Sequence, residues 1–439
     1  MFFILIHYLG KKATLSETSE KAIQPDNKPK LDFIGHINAG NKAMTNYQFE
    51  TALEHFQEAL TFRQDDPTLH FKIARLFVQK EDYARAAQGF KNVISLNPGQ
   101  LEAYYELARV FYATGSLAEA HQQLDEALKI NPGHGDSLRL KIKLFEKQEQ
   151  PELALPLLEQ LIEKHHRNKE YRQLYAELLQ KAGEFQKALT QYQMMIEWDP
   201  SKTAIYRKGM GQIYYEQGDF KNAIHCFRQC FSTEDGPVDP AIASDRELKS
   251  QLAAALCNEG VLLFNTEQTD EAITLYNEAL SHEQENPDIY YNLGKALAES
   301  GNTHDALQNF QNVINLNPQD AATFYEIGIL HDNKGNTVEA IQYYQTSLEL
   351  DPKHVKAYFS LGTLYGIEGK YNDAVTYLSE AIKLDPTYID AIYNLAVAME
   401  KVKQLKKAAQ LYKKVLSLNE NHTEARSNLA HLQRELKTN

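Results

Sequence analysis

The chain has 439 residues, of which 43% are hydrophobic and 24% are charged, a composition typical of a folded protein. Its formal net charge of −13 argues against nucleic acid as the main partner and against an anionic membrane surface, because like charges repel. The three cysteines, Cys226, Cys230 and Cys257, are too few for a disulfide framework or a four-cysteine metal site. Basic or neutral protein partners and a reducing, cytoplasmic location fit these properties best.

Residues 1–32 are predicted to form a tail and linker. The apolar run Met1–Leu9 is too short to span a bilayer and lacks the basic start of a secretory signal. We therefore predict a disordered or loosely docked tail, with a membrane anchor remnant or a misassigned start as the alternative. The polar composition of Gly10–Lys30 predicts a flexible linker.

From Phe33 onward the sequence repeats with a period of 34 residues, which indicates stacked helical repeats. The period is interrupted once, by an insertion at 238–252 whose second part, from Ala241 to Leu252, is predicted to be extra helix. The blocks begin at Phe33, Pro67, Leu101, Gly135, Lys169 and Ala204 before the insertion, and at Ala253, Pro287, Ala321, Val355 and Ile389 after it.

Each block predicts two amphipathic helices. Apolar residues at block positions 4, 7, 11, 20, 24, 27 and 28 follow the spacing of helices buried along one stripe. Small residues, such as Gly294 at position 8 and Ala306 at position 20, are expected where the two helices approach closely. Glycines such as Gly301 are expected to end the first helix, and prolines such as Pro318 the second.

This pattern resembles the tetratricopeptide repeat family, whose signature has the same large apolar, Leu-Gly, Ala, aromatic and Pro positions. The resemblance implies an all-α fold, an α-solenoid of stacked helix-turn-helix repeats that winds into a superhelix. On this basis, residues 33–237 form six repeats, 238–252 the insertion, 253–422 five repeats and 423–439 a cap helix.

By the same resemblance, the first helix of each repeat lines a concave groove, with block positions 2, 5, 6, 9, 12 and 13 facing inward. Asparagine amides offer both a donor and an acceptor to a peptide backbone, and aromatic rings supply contact area. The alternative is that these side chains serve packing. The candidate peptide-binding residues are Asn38, Phe71, Tyr105, Asn258, Tyr291, Asn292, Tyr325, Phe359, Tyr393 and Asn394.

Some members of the family clamp the terminal carboxylate of chaperone tails with Lys, Asn and Arg side chains. The nearest run here is Lys208, Gln212, Asn258 and Asn292, which lacks two of the cations and is split by the insertion. We therefore expect no binding of this kind.

Signals of catalysis are poor, since phosphate-loop, His-Glu-x-x-His and Gly-x-Ser-x-Gly motifs are missing from the sequence. His225, Cys226 and Cys230 are the one cluster that resembles metal ligands, but Cys230 falls at a buried position and predicts packing. Trp198, the single tryptophan, is predicted to lie in the core. We expect neither a cofactor nor a metal.

The sequence therefore predicts a non-enzymatic scaffold that binds extended segments of partner proteins. Two alternatives stay open: a membrane-tethered accessory protein for envelope, secretion or glycan assembly, and a regulatory array for a separate enzyme. The family includes glycosyltransferases with such an array ahead of a catalytic domain, and here only the predicted cap helix follows the last repeat. The sequence leaves the oligomeric state undetermined.

Overall fold

The computed structural model describes residues 31–231 and 240–438. Within these ranges the chain is α-helical, with one short 3-10 turn at Pro200–Lys202 and no β-strand, which confirms the predicted all-α fold. The apolar run Met1–Leu9 and the linker up to Lys30 lie outside the described residues.

The chain divides into two compact units, Met1–Asn168 and Lys169–Asn439. In the described part of the first unit, eight helices form four hairpins in chain order. These helices are α1 (Phe33–Thr45), α2 (Phe49–Phe62), α3 (Pro67–Gln79), α4 (Tyr83–Leu96), α5 (Leu101–Ala113), α6 (Leu117–Ile130), α7 (Gly135–Lys147) and α8 (Pro151–Lys164).

The described part of the second unit contains sixteen helices. Seven hairpins are followed by a final helix, and a short helix precedes the third hairpin. The helices are α9 (Lys169–Lys181), α10 (Phe185–Trp198), α11 (Thr203–Glu216), α12 (Phe220–Cys230), α13 (Pro240–Ala243), α14 (Arg246–Asn265), α15 (Thr269–His282), α16 (Pro287–Glu299), α17 (Thr303–Leu316), α18 (Ala321–Asn333), α19 (Thr337–Leu350), α20 (Val355–Ile367), α21 (Tyr371–Leu384), α22 (Ile389–Lys401), α23 (Leu405–Leu418) and α24 (Thr423–Thr438).

Within each unit, the two helices of a hairpin pack on each other and each hairpin packs on the next. The alanines at block position 20, such as Ala340 and Ala374, are completely buried. A glycine at position 8 faces the large side chain at position 24: a Cβ atom on Gly294 would lie 2.7 Å from Cε1 of Phe310. The small residues predicted from the sequence therefore make room for a neighbouring helix and for the ring that it carries.

The turn inside each hairpin depends on a left-handed residue at block position 15. This residue has positive φ in all eleven blocks, and it is glycine in six of them. Gly301 has φ +82°, whereas Glu267 at the equivalent position has φ +64°. Because a left-handed conformation costs an L-residue about 1–2 kcal/mol, the five non-glycine turns carry strain that the glycine turns avoid.

Histidines cap several first helices and also pack against aromatic rings. His354 Nδ1 accepts a hydrogen bond from the Ala357 backbone N–H at 3.1 Å, and its ring centroid lies 4.7 Å from that of Tyr325. His422 repeats this arrangement with Ala425, at 3.3 Å. Burial lowers the pKa of His354 below its ordinary value of 6.5, against a smaller opposing effect of Asp351. The folded state therefore favours the neutral form of the His354 imidazole at this junction between repeats.

The segment before the third hairpin of the second unit is helical from Pro240, but it is interrupted before α14. Asp245 caps α14 by accepting from the Leu248 backbone N–H. Lys208 on α11 donates to Asp245 Oδ2 at 3.1 Å and to Glu247 Oε2 at 2.8 Å. These ion pairs attach the start of the long helix to the preceding hairpin. The predicted repeat and insertion boundaries themselves stay a prediction.

The prediction that Trp198 lies in the core is wrong. Trp198 is the last residue of α10, and 39% of its surface is exposed. The guanidinium of Arg172 on α9 lies 4.7 Å from its ring centroid. At a helix end, a large ring packs against a cation on the neighbouring helix and keeps its other face in water.

Replacing Glu267 with glycine is expected to raise the free energy of unfolding by about 0.5–1 kcal/mol, because glycine removes the left-handed strain at some cost in chain entropy. Gly301→Ala is expected to lower it by about 1 kcal/mol at the equivalent turn. Thermal melts followed by circular dichroism measure both effects. A lower melting temperature for Glu267→Gly would contradict this reading of the turns.

A second prediction concerns pH. Because the pKa of His354 is lowered in the folded state, its contribution to stability is present above about pH 6.5 and is lost as the pH falls below that value. His354→Asn keeps a capping side chain that does not titrate, so its melting temperature is expected to fall less between pH 7.5 and 5.5 than that of the wild type. His304→Asn, on the exposed surface of α17, is the control. Equal pH profiles for the wild type and His354→Asn would refute the prediction.

Candidate peptide-binding surface

Four asparagines at block position 6 join successive first helices of the second unit. Each donates from Nδ2 to the first helix of the preceding hairpin. The pairs are Asn258 to Tyr215 Oη at 2.9 Å, Asn292 to Cys257 Sγ at 3.6 Å, Asn394 to Thr363 Oγ1 at 3.0 Å and Asn428 to Tyr393 Oη at 3.2 Å. Position 6 of one first helix therefore lies beside positions 5, 9 and 12 of the helix before it. We call these positions on α11, α14, α16, α18, α20, α22 and α24 the first-helix surface.

The same asparagines keep an acceptor atom available. Among the described residues, the hydrogen bonds of Asn258, Asn292 and Asn394 use Nδ2 and leave Oδ1 without a partner. Tyr206 Oη is the only fully buried side-chain nitrogen or oxygen without a partner in the described part of the chain. The amide oxygens therefore have access to water, and they can accept from the backbone N–H of a bound segment.

The aromatic residues at position 5 are half-buried and have packing partners. Tyr291 lies 5.9 Å from the ring of Phe310 in its own hairpin, and Tyr325 lies 5.4 Å from Tyr344. Phe359 lies 4.8 Å from Tyr388, and Tyr393 lies 4.8 Å from His422. These rings therefore stabilise the hairpins and, at Phe359 and Tyr393, the start of the next first helix, as well as forming part of the surface.

The first unit carries the three remaining candidates. Asn38 on α1 is exposed, Phe71 on α3 packs on Phe90 at 5.5 Å, and Tyr105 on α5 packs on His134 at 5.7 Å. Lys72 at position 6 donates to Asn41 Oδ1 at 2.7 Å, in the same position 6 to position 9 arrangement as Asn394 and Thr363. Adjacent first helices of this unit thus share the same geometry.

Lys208 and Gln212, the start of the run compared with the carboxylate clamp, are already engaged. Lys208 is held by Asp245 and Glu247, and Gln212 donates to Gln251 Oε1 at 3.3 Å. Because two carboxylates occupy the lysine, a peptide terminus would have to displace them. The expected lack of this binding mode stays a prediction.

Two features of the first-helix surface were not predicted from the sequence. Burial raises the pKa of the carboxyl groups of Glu326 and Asp332, both on α18. Tyr291 Oη donates to Glu326 at 3.4 Å, whereas Asp332 has no hydrogen-bond or ion-pair partner for its carboxylate among the described residues. The second feature is an apolar pocket of about 230 Å³ lined by residues of α20, α21 and α22. In the sequence, the glycine at position 12, Gly366, is the one residue that could have predicted this pocket.

The cysteine cluster is part of the core. Cys226 and Cys230 are buried, as predicted for Cys230, and burial raises the pKa of their thiols to about 11 and about 12. Within residues 31–231 and 240–438, no three His, Cys, Asp or Glu side chains are placed to hold a metal ion together. In the same ranges, none of the helices combines the length and apolarity needed to cross a membrane.

Three of the solved structures that the chain matches are those of MamA, YrrB and yeast Tom70. MamA is 24% identical, over 38% of this chain and 96% of its own, with a TM-score of 0.34. YrrB, whose structure is described as a TPR protein with an unusual peptide-binding site, is 22% identical over 40% of this chain and 91% of its own, with a TM-score of 0.35. Yeast Tom70 is 15% identical over 92% of this chain and 96% of its own, with a TM-score of 0.38. At these TM-scores the likenesses carry no weight for fold or function.

A search of curated proteins found no significant match. Matches to family models identify the family of the chain. Models described as tetratricopeptide repeat or TPR repeat match residues 77–144, 146–213, 209–234, 260–301, 291–355, 343–376, 367–403 and 389–422. Together they extend over well more than half of the chain, and every matched range lies within the helical part from α3 to α23 or overlaps it. The chain belongs to the tetratricopeptide repeat family.

Proposed function

We propose that this protein is a non-enzymatic scaffold that binds extended segments of partner proteins on its first-helix surface. The observation that carries the proposal is the series of amide hydrogen bonds from Asn258, Asn292, Asn394 and Asn428 to the preceding first helices. These bonds align positions 5, 6, 9 and 12 of successive helices into one strip that an extended chain can follow.

The strip suits a peptide backbone because its amide oxygens repeat from one repeat to another. Each Oδ1 can accept one backbone N–H, and each such bond contributes about 0.5–1.5 kcal/mol. Amide contacts of this kind do not depend on the sequence of the partner, so side-chain contacts must supply selectivity. The half-buried rings of Tyr325, Phe359 and Tyr393 offer part of that contact area.

Charge supports protein partners of basic or neutral character. The formal net charge of −13 repels nucleic acid phosphates and attracts basic segments. A cytoplasmic location is part of this proposal. The alternative role as a membrane-tethered accessory protein depends on residues 1–9, which lie outside the described residues, and no contact among the described residues favours it over the scaffold.

The best test removes amides and leaves the aromatic rings in place. Replacing Tyr291 with alanine would remove its packing on Phe310, so a loss of binding could follow from a loss of stability. Asn258, Asn292 and Asn394 are better targets, because each can be truncated without opening the buried core.

The combined variant Asn258→Ala, Asn292→Ala and Asn394→Ala is expected to capture at least about tenfold less partner protein from native lysate, since three backbone hydrogen bonds are lost at about 0.5–1.5 kcal/mol each. Affinity capture with quantitative mass spectrometry, compared with the wild type, measures this change. Far-UV circular dichroism at the capture temperature checks that the variant is folded.

The matched control is Asn277→Ala with Asn315→Ala, two exposed asparagines on the second helices α15 and α17. This variant is expected to capture the same partners as the wild type. Undiminished capture by the triple variant would show that the first-helix surface is not the binding site.

A further inference from the structure

The pocket beside α20 exists because Gly366 has no side chain. A Cβ atom at this residue would meet only the Cβ of Ala374, at an ordinary 3.9 Å, so close packing does not require glycine here. Gly366 is the last residue but one of α20 and its φ is not positive, so the turn geometry does not require glycine either. Glycine in a helix costs about 0.5–1 kcal/mol relative to alanine. Other first helices carry Tyr215, Phe264 or Glu400 at this block position.

The interior of the pocket is suited to an aliphatic side chain. Gly362, Val397 and Ala398 contribute apolar surface. Thr363 Oγ1 accepts from Asn394 Nδ2 at 3.0 Å, and Asn394 Oδ1 is left to accept a backbone N–H of the segment. At the rim, Ile367 is 78% exposed and adds apolar surface beside the entrance of the pocket. The volume of about 230 Å³ is enough for one side chain and too small for a helix or strand of a partner.

A carboxylate occupies the equivalent place one repeat earlier. Asp332 and Gly366 both stand at block position 12, on α18 and α20. Asp332 is half-buried, and its carboxylate has neither a hydrogen bond nor an ion pair among the described residues. A partly desolvated carboxylate without a partner is stabilised by a cation from a ligand. The nearby Glu326 already accepts a hydrogen bond from Tyr291 Oη, so Asp332 is the carboxylate on α18 that is left for a cation of the ligand.

The spacing of the repeats sets the distance between the two places. Helices that pack side by side lie about 8–10 Å apart. An extended chain in the polyproline II conformation advances about 3.1 Å per residue and has three residues per turn, so side chains three positions apart lie about 9 Å apart and point to the same side. A segment running along the first-helix surface can therefore reach both places with side chains three positions apart.

We propose that α18, α20 and α22 select extended segments in which a Lys or Arg lies about three residues from a Leu, Ile or Met. The aliphatic side chain enters the pocket at Gly366, and the cation pairs with Asp332. This selectivity rests on the scaffold function proposed above and specifies the chemistry of its ligand.

Fluorescein-labelled ten-residue peptides test the proposal with the full-length chain. In a Gly-Ser background, one Lys and one Leu are placed three positions apart, in either order. Fluorescence anisotropy is expected to show that replacing Leu with Ser, replacing Lys with Gln, or widening the spacing to six residues weakens binding at least fivefold. Equal binding of all these peptides would overturn the proposal, and so would no binding at all.

Variants at Gly366 and Asp332 test which peptide side chain each of these residues recognises. Gly366→Leu is expected to remove the preference for Leu over Ser, with Gly366→Ala intermediate, because the added side chains fill the pocket. Both changes favour the helix, so their melting temperatures are expected to be equal to or above that of the wild type, which separates blocking from misfolding. Asp332→Asn is expected to remove the preference for Lys over Gln and to keep the preference for Leu.

Val338→Leu and Glu339→Gln, both exposed on α19, serve as the apolar and charge controls and are expected to keep both preferences. Unchanged preferences in Gly366→Leu or Asp332→Asn would overturn the assignment. If native capture depends on the three asparagines while the peptides show no preference, the scaffold function stands and this inference fails. If both experiments fail, the first-helix surface is not a binding site.

Discussion

The structure of both units depends on how closely a first helix approaches its second helix. Gly294 leaves room for the ring of Phe310, Gly328 for Tyr344 and Gly362 for Leu378, while the alanines at position 20 let the backbones come together. A single hairpin packed in this way still exposes one apolar side, so the next hairpin must cover it. Stacking is therefore a consequence of the packing inside each hairpin, and it brings the first helices side by side.

This arrangement leads directly to the candidate binding surface. Once the first helices are neighbours, a position 6 amide can reach the preceding helix, and Asn258, Asn292 and Asn394 do so with one end of the side chain. The other end has no partner among the described residues. The aromatic residues at position 5 have a double role, because each packs on its own hairpin or on the residue before the next first helix and also borders the surface. Stability and recognition thus share the same side chains, which makes the amides better probes of binding than the rings.

Departures from the repeated pattern give the surface its individual character. Gly366 replaces a side chain with a pocket, and Asp332 places a carboxylate where the preceding repeat has Ala298. Neither residue is needed for the packing of its hairpin. In an array where most positions repeat because packing requires them, residues that break the pattern without a structural reason are the best places to look for selectivity.

The sequence by itself determined the helical hairpins, their 34-residue period and the small residues at their contacts, because local periodicity and turn chemistry depend on neighbours along the chain. It also placed Cys230 in the core. Tertiary structure alone decided which end of each asparagine is engaged, that Lys208 is held by Asp245 and Glu247, and that Trp198 lies against Arg172 with much of its surface in water. The pocket at Gly366 and the unpaired Asp332 also emerged only there, since both depend on which side chains from separate repeats meet in space.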